Sequence, residues 1–144
     1  MEYQKIDNKI FVRLDRGDEI ISSVLGICKA EGVDSATFTG IGGCSEVLKL
    51  THRPASDAYE EHLVKEVLDI ALIHGNITVD TTGTLCHHTH SIMTYTKENN
   101  QNGNSGGAYA AGNRKLCCGN YDHTAQPDNY PDGRSREWCT NLAL

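Results

Sequence analysis

The distribution of large apolar side chains constrains this chain most. Residues 1–97 carry 29 Val, Ile, Leu, Met, Phe and Trp, whereas residues 98–144 carry four: Leu116, Trp138, Leu142 and Leu144. A core forms only where buried apolar area offsets the entropy of ordering the chain. The front of the chain has that area. The back has eight Asn, six Gly and three Cys instead, and keeps neither a helical nor a strand period over a useful length. The sequence therefore predicts one incomplete domain over residues 1–97 and an irregular, low-hydrophobicity tail over 98–144.

Within the front part the periods are readable. Lys9–Leu14 predicts a strand with Ile10, Val12 and Leu14 on one face. Asp15-Arg16-Gly17-Asp18 predicts a turn that caps a helix over Glu19–Glu31, with Ile20, Ile21, Val24, Leu25 and Cys28 inward and Gly32 as its stop. Asp34–Ile41 and Cys44–Thr51 read as two strands joined at Gly40-Ile41-Gly42-Gly43, whose glycines allow a tight bend or a close backbone approach, and His52–Asp57 as a loop. Tyr59–Val64 reads as an edge strand. Val67–Ile73 is nearly all apolar, as in a strand covered on both faces. Gly75-Asn76 predicts a bend, Thr81-Thr82-Gly83 a turn, and Leu85–Tyr95 a last long strand. One helix among many strands makes the fold class α+β, a largely antiparallel β-sheet with one main helix packed on it.

Composition excludes several classes. A net charge of −6 opposes unaided nucleic-acid binding, which needs clustered Lys and Arg. No run of about 18 apolar residues is present to cross a membrane as a helix. Met1-Glu2-Tyr3-Gln4-Lys5 lacks the pattern of a signal peptide, so a cytoplasmic location is expected. Cys28, Cys44, Cys86, Cys117, Cys118 and Cys139 show no CxxC spacing and read as free thiols. The Gly40–Gly43 run lacks GxGxxG spacing, and no Ser, Cys or Lys sits in a nucleophile motif.

One pair of side chains carries chemistry. Side chains alternate across a strand, so His88 and His90 share a face, with Cα atoms roughly 6.5–7 Å apart. Two imidazoles at that distance reach one ion between them, and zinc suits them best, with bonds of about 2.0–2.1 Å. The alternative is a pair of strand histidines satisfied by hydrogen bonds or water. His87 faces the other way. His52, His62, His74 and His123 have no partner that the sequence names. Glu46, Glu66 and Asp69 are possible carboxylate helpers that sequence alone does not bring to the pair.

The order of four motifs resembles a known family. These are Leu14-Asp15-Arg16-Gly17-Asp18-Glu19-Ile20, Ser35-Ala36-Thr37-Phe38-Thr39-Gly40-Ile41-Gly42, Leu72-Ile73-His74-Gly75-Asn76-Ile77-Thr78 and His88-Thr89-His90. Together they resemble the PPC domain (plants and prokaryotes conserved domain), which is joined to AT-hooks in plant nuclear proteins. The resemblance implies a homotrimer that assembles protein partners. Direct DNA binding belongs to the AT-hook, which this chain lacks, so a DNA-binding label reaches it by association.

The resemblance also implies a third zinc ligand from a Gly-Gly-His motif. Here Gly106-Gly107 is followed by Ala108, so that ligand is absent. Reading one base later over Ser105–Ala110 permits Val-Gly-Gly-His-Met-Leu, and the same shift permits family-like strands further on. The tail therefore reads either as a frame-shifted stretch or as a genuine divergent, flexible tail, and the trimer is expected to be weakened or lost. Two functions follow: a trimeric binding and assembly module, or a zinc-dependent enzyme of unknown reaction built on His88 and His90.

Overall fold

The alternation in Lys9–Leu14 buries every second side chain of β2: Ile10, Val12 and Leu14 face the core, while Lys9, Phe11 and Arg13 face out. The computed structural model describes residues 1–96, 102–109, 116–118 and 140–143. Among the described residues the strands are β1 (Glu2–Ile6), β2, β3 (Ala36–Arg53), β4 (Ala58–Val64), β5 (Leu68–Val79), β6 (Leu85–Thr96), β7 (Asn102–Tyr109), β8 (Leu116–Cys118) and β9 (Thr140–Ala143), and they form one antiparallel sheet, ordered β1-β2-β9-β3-β5-β6-β7, with β4 and β8 pairing along the far half of β3. The sheet curls, so that β7 meets β3 again at Leu50↔Ala108. β1 (Glu2–Ile6) is exposed throughout, so no burial period marks it in the sequence. It pairs with β2, and Tyr3 and Lys5 both donate hydrogen bonds to the Glu31 carboxylate at the helix end. Those bonds, from Lys5 first and then Tyr3, hold the Glu31 carboxyl below its ordinary range.

Helix α1 (Ile20–Glu31) packs its stripe of Ile20, Ile21, Val24, Ile27 and Cys28 into the core. Ile27 takes the central place and Leu25 only its margin, as a spacing of 3.6 residues requires. The cap is Glu19 rather than the preceding turn: its carboxylate accepts from the Ile21 and Ser22 amides. Asp18 instead accepts from the Asp15 amide and holds the turn. Gly32 ends the helix at φ 65°, and its N–H donates to the Cys28 carbonyl. Burial pushes the Cys28 thiol up, as befits a structural cysteine.

Two expectations from the glycines are corrected. β3 (Ala36–Arg53) is one continuous strand, not two joined at the glycines. The irregularity lies across from it on β5 (Leu68–Val79), where Ala71 and Leu72 together face Ile41, so that Gly40 pairs with Ile73 and Gly42 with Ile70. This bulge slips the alternation of β5 by one residue. Leu68 and Ile70 face inward before it, Ile73 and Ile77 after it, and Leu72 faces out. A slipped period reads as an unbroken apolar run, which is why this strand resembles one covered on both faces although only one face is buried. Gly75-Asn76 likewise makes no bend. Gly75 sits inside the strand because the Phe38 ring and the Thr89 hydroxyl occupy the space a Cβ would take.

β5 and β6 (Leu85–Thr96) form a hairpin through a turn held by Asp80, whose carboxylate accepts from the Thr82 and Thr84 amides and the Thr82 hydroxyl. Among the described residues β4 (Ala58–Val64) pairs only with β3, as an edge strand should. Beyond residue 97 the described stretches are all strands: β7 (Asn102–Tyr109) on β6, β8 (Leu116–Cys118) on β3, and β9 (Thr140–Ala143) between β2 and β3. They contain few large apolar residues, so neither period nor hydrophobicity signals them. His123 and Cys139 lie outside the described residues.

Candidate metal centre on the open sheet face

β6 divides its side chains by parity. His87, Thr89, Ser91 and Met93 are buried, and the His87 Nδ1 lies 2.9 Å from the Thr89 hydroxyl. His88, His90 and Ile92 face out. The structure therefore brings His88 and His90 together as their spacing predicts and keeps His87 away from them. Their Nε2 atoms are 3.0 Å apart, with ring centroids 4.9 Å apart and planes tilted by 53°. One N–H and one lone pair at that distance make a hydrogen bond. Two lone pairs at nearly that distance make a bidentate cation site, since zinc–nitrogen bonds of about 2.0–2.1 Å at a tetrahedral angle place the nitrogens roughly 3.3 Å apart.

The neighbouring strands complete the surroundings. On β5 the register partners of His90 and His88 are His74 and Asn76, and residues directly opposite in an antiparallel pair share a face. On β3, Thr39 pairs with His74 and Thr37 with Asn76. On β7, Ala108 pairs with His90 and Gly106 with Ile92. Ala108, which follows Gly106-Gly107, is therefore the β7 register neighbour of His90. Cys86 lies on the far side of His88, its thiol turned to the Thr78 carbonyl.

The carboxylates do not reach this place. Glu46 pairs with Lys65 at 3.4 Å. Asp69 pairs in register with Thr94, four residues along β6 from His90, or about 13 Å. Glu66 lies between β4 and β5. Among the described residues, no group of three His, Cys, Asp or Glu is gathered around one point. His74, for which the sequence names no partner, stands opposite His90 in the β5–β6 pairing. Val79↔Leu85 fixes the hairpin register, and counting back from it sets His74 opposite His90.

Beside the histidines the same face is apolar. Ile92 is 56% exposed, its register partner Leu72 is 42% exposed, and Ile41 across the bulge is 57% exposed. Among the described residues, no helix is long and apolar enough to cross a membrane.

Three solved structures share this architecture at identities that show the fold alone. A putative DNA-binding protein from Bacteroides thetaiotaomicron is 20% identical, with a TM-score of 0.69 over 99% of this chain and 80% of its own. A metal-containing protein from Archaeoglobus fulgidus is 14% identical, with a TM-score of 0.67 over 100% of this chain and 84% of its own. A plant- and prokaryote-conserved (PPC) protein from Pyrococcus horikoshii is 15% identical, with a TM-score of 0.66 over 99% of this chain and 79% of its own. No curated protein matches the chain. The Gly-Ile-Gly run on β3, the Gly-Asn-Ile run on β5 and the His-x-His run on β6 lie on adjacent strands, and the family model of the Plants and Prokaryotes Conserved (PCC) domain matches residues 1–113, so the chain belongs to that family.

Proposed function

We propose that this chain is a binding and assembly module whose open sheet face joins three copies into a homotrimer that recruits regulatory partners. The observation that carries the reading is the row Ile41, Leu72 and Ile92, contiguous across β3, β5 and β6 on the face that the helix leaves uncovered. Exposed apolar residues are ordinary when scattered, whereas a contiguous row marks a surface that gains by being covered. The DNA-binding role named for the Bacteroides protein comes to this chain, on this reading, through partners, since its net charge of −6 opposes direct contact with phosphates. Sedimentation of the purified chain tests the proposal. A trimer that Ile92→Asp converts to a folded monomer supports it. Because the tail is expected to weaken the trimer, the refuting result is a chain that stays monomeric at tens of micromolar both as it stands and with the frame-corrected tail.

A second reading has its own observation, the 3.0 Å separation of the His88 and His90 Nε2 atoms. The donor set fits two positions of a zinc ion, which would supply a polarised water when bound. What this chain contributes is a pair of imidazoles held at a fixed spacing by strand geometry. Metal content, followed by His88→Ala, separates the roles. Loss of the trimer makes the metal structural, whereas loss of a turnover with the trimer intact makes it catalytic.

The tail adds a proposal about the gene. The register puts Ala108 beside His90, at the place where the shifted frame permits histidine. Sequencing around codons 95–100 decides it, because an intact frame in several clones ends the idea.

A further inference from the structure

We infer that the arm formed by β3 and β4 in one copy docks on the open sheet face of the next, with Tyr59, Glu61 and Leu63 covering His88, His90 and Ile92. This contact rests on the reading of the open face as the surface that joins three copies, and it supplies the other half of that interface. A patch that meets its own duplicate does so across a two-fold axis and closes at two copies. A ring of three needs two different patches on every copy. The row Ile41, Leu72 and Ile92 is one of them. Exposed Phe11 does not make the second, because its register runs through Ala143 to Thr39 and so extends the same face. The strand β4 supplies it. Tyr59 is 64% and Leu63 53% exposed, and the strand alternation puts both on one side with Glu61 between them. Among the described residues the other edge of β4 pairs with no strand.

The two patches match position by position. On β4 the Glu61 carboxylate is followed two residues later by Leu63, and on β6 the His90 imidazole is followed two residues later by Ile92. Residues two apart on a strand are separated by roughly 6.5–7 Å. One placement therefore seats Leu63 on Ile92 and its register partner Leu72, while Glu61 meets His90 and its register partner His74. Tyr59 then lies over His88. An ionised carboxylate only accepts hydrogen bonds, and every imidazole carries at least one N–H. The hydrogen bond between His88 and His90 uses one of their N–H groups, so the pair keeps another to donate to Glu61. Within one chain the same groups are kept apart. The register runs from Glu61 to Leu50, Ala108 and His90 across β4, β3, β7 and β6. That is three strand spacings, about 14 Å, so Glu61 reaches such an imidazole only on another copy.

Sedimentation of paired variants tests the contact, in the full chain as it stands and with the frame-corrected tail, with circular dichroism confirming that each variant folds. Leu63→Asp disables the arm and leaves the open face, and Ile92→Asp does the reverse. Each alone is expected to be monomeric at tens of micromolar. Their equimolar mixture should form a one-to-one heterodimer, because one intact arm then meets one intact face. Glu61→Arg should weaken the trimer by at least about tenfold, the loss expected for one hydrogen bond to a charged group. If Leu63→Asp assembles as the parent does while Ile92→Asp is monomeric, the arm is overturned as the partner surface and the open face stands. If both are monomeric and their mixture stays so at hundreds of micromolar, arm and face do not meet, which also overturns the contact. A Glu61→Arg trimer as tight as the parent overturns the pairing with His90. If the parent is monomeric with both tails, or Ile92→Asp assembles unchanged, the reading of the open face falls and the arm falls with it.

Discussion

Adding one methyl group at Gly75 tests the packing between β3, β5 and β6. A Cβ built there lies 2.6 Å from Phe38 Cε1, 2.7 Å from Phe38 Cζ and 2.6 Å from the Thr89 hydroxyl. Ordinary contacts begin near 3.4 Å, so the ring must retreat by about 0.8 Å. Phe38 and Thr89 are both fully buried and have little room to do so. Gly75 does not have a positive φ, so alanine is not excluded by its backbone and the effect is one of packing alone. Overpacking of this kind costs about 1–3 kcal/mol. Urea denaturation at fixed protein concentration reads it as a fall in the midpoint, with unchanged slope, of roughly 0.5–2 M. Gly26 is the control. A Cβ there meets nothing within 4 Å in an exposed helical turn, so Gly26→Ala should stabilise by about 0.5–1 kcal/mol. Phe38→Leu should absorb part of the Gly75→Ala penalty, giving a double variant less destabilised than the two singles combined. A Gly75→Ala protein as stable as the parent would refute the close approach of these strands.

The helix ends and the hairpin turn give further tests by thermal or urea melting. Glu19→Ala removes the carboxylate that accepts from the Ile21 and Ser22 amides and should destabilise by about 0.5–2 kcal/mol, with Glu19→Asp retaining part of the cap. Gly32→Ala forces a side chain into the left-handed region at φ 65° and should cost about 1–2 kcal/mol. Asp80 is held below the ordinary aspartate range by the Thr82 side chain first and the Thr84 and Thr82 amides next. A depressed carboxyl contributes stability above its unfolded value and loses it as pH falls through the folded one. Acidification below the ordinary aspartate range should therefore lower the melting temperature of the parent more than that of Asp80→Asn, and equal slopes would show that the turn is not held this way.

What was legible in the sequence follows from where period and burial agree. β2, α1 with its Gly32 stop, and β6 each bury one regular face, and each stands where its period places it, whereas the edge strand β4 and the Thr81–Gly83 turn are largely exposed and follow from their composition and turn residues. The outward parity of His88 and His90 was legible for the same reason. β1 has no buried face and β5 has a slipped one, so pattern missed the first and misread the second. Gly75-Asn76 reads locally as a bend, whereas Gly75 answers to a ring on a neighbouring strand that no local window contains. The position of His74 opposite His90 is not legible in its own strand because register is a property of the hairpin. The strands beyond residue 97 were invisible because hydrogen bonding to neighbours, not apolar content, defines them.

The last of those strands carries a prediction about how the sheet holds together. β9 is the bridge between β2 and β3: Val12, Arg13 and Leu14 pair with Leu142, Asn141 and Thr140 on one edge, while Thr39, Gly40 and Ile41 pair with Ala143, Leu142 and Asn141 on the other. Among the described residues the β1–β2 hairpin joins the sheet through this strand alone. Ile10, Val12 and Leu14 also pack in the common core, so their burial does not depend on β9 only. Ending the chain at residue 113 should therefore leave the β5–β6 hairpin intact and release β2 selectively. Each backbone hydrogen bond lost is worth roughly 0.5–1.5 kcal/mol net, so β2 should move toward the low-stability end of local opening. Amide hydrogen exchange reads this residue by residue. Protection should fall across Phe11–Leu14 and at Thr39–Ile41, and hold at Ile73–Ile77 and His87–Ser91. If β2 amides keep full protection in the shortened chain, helix packing alone seats the hairpin and β9 adds nothing to it. If protection collapses throughout, the bridge is part of one cooperative unit, and the sheet cannot be divided in the way its strand order implies.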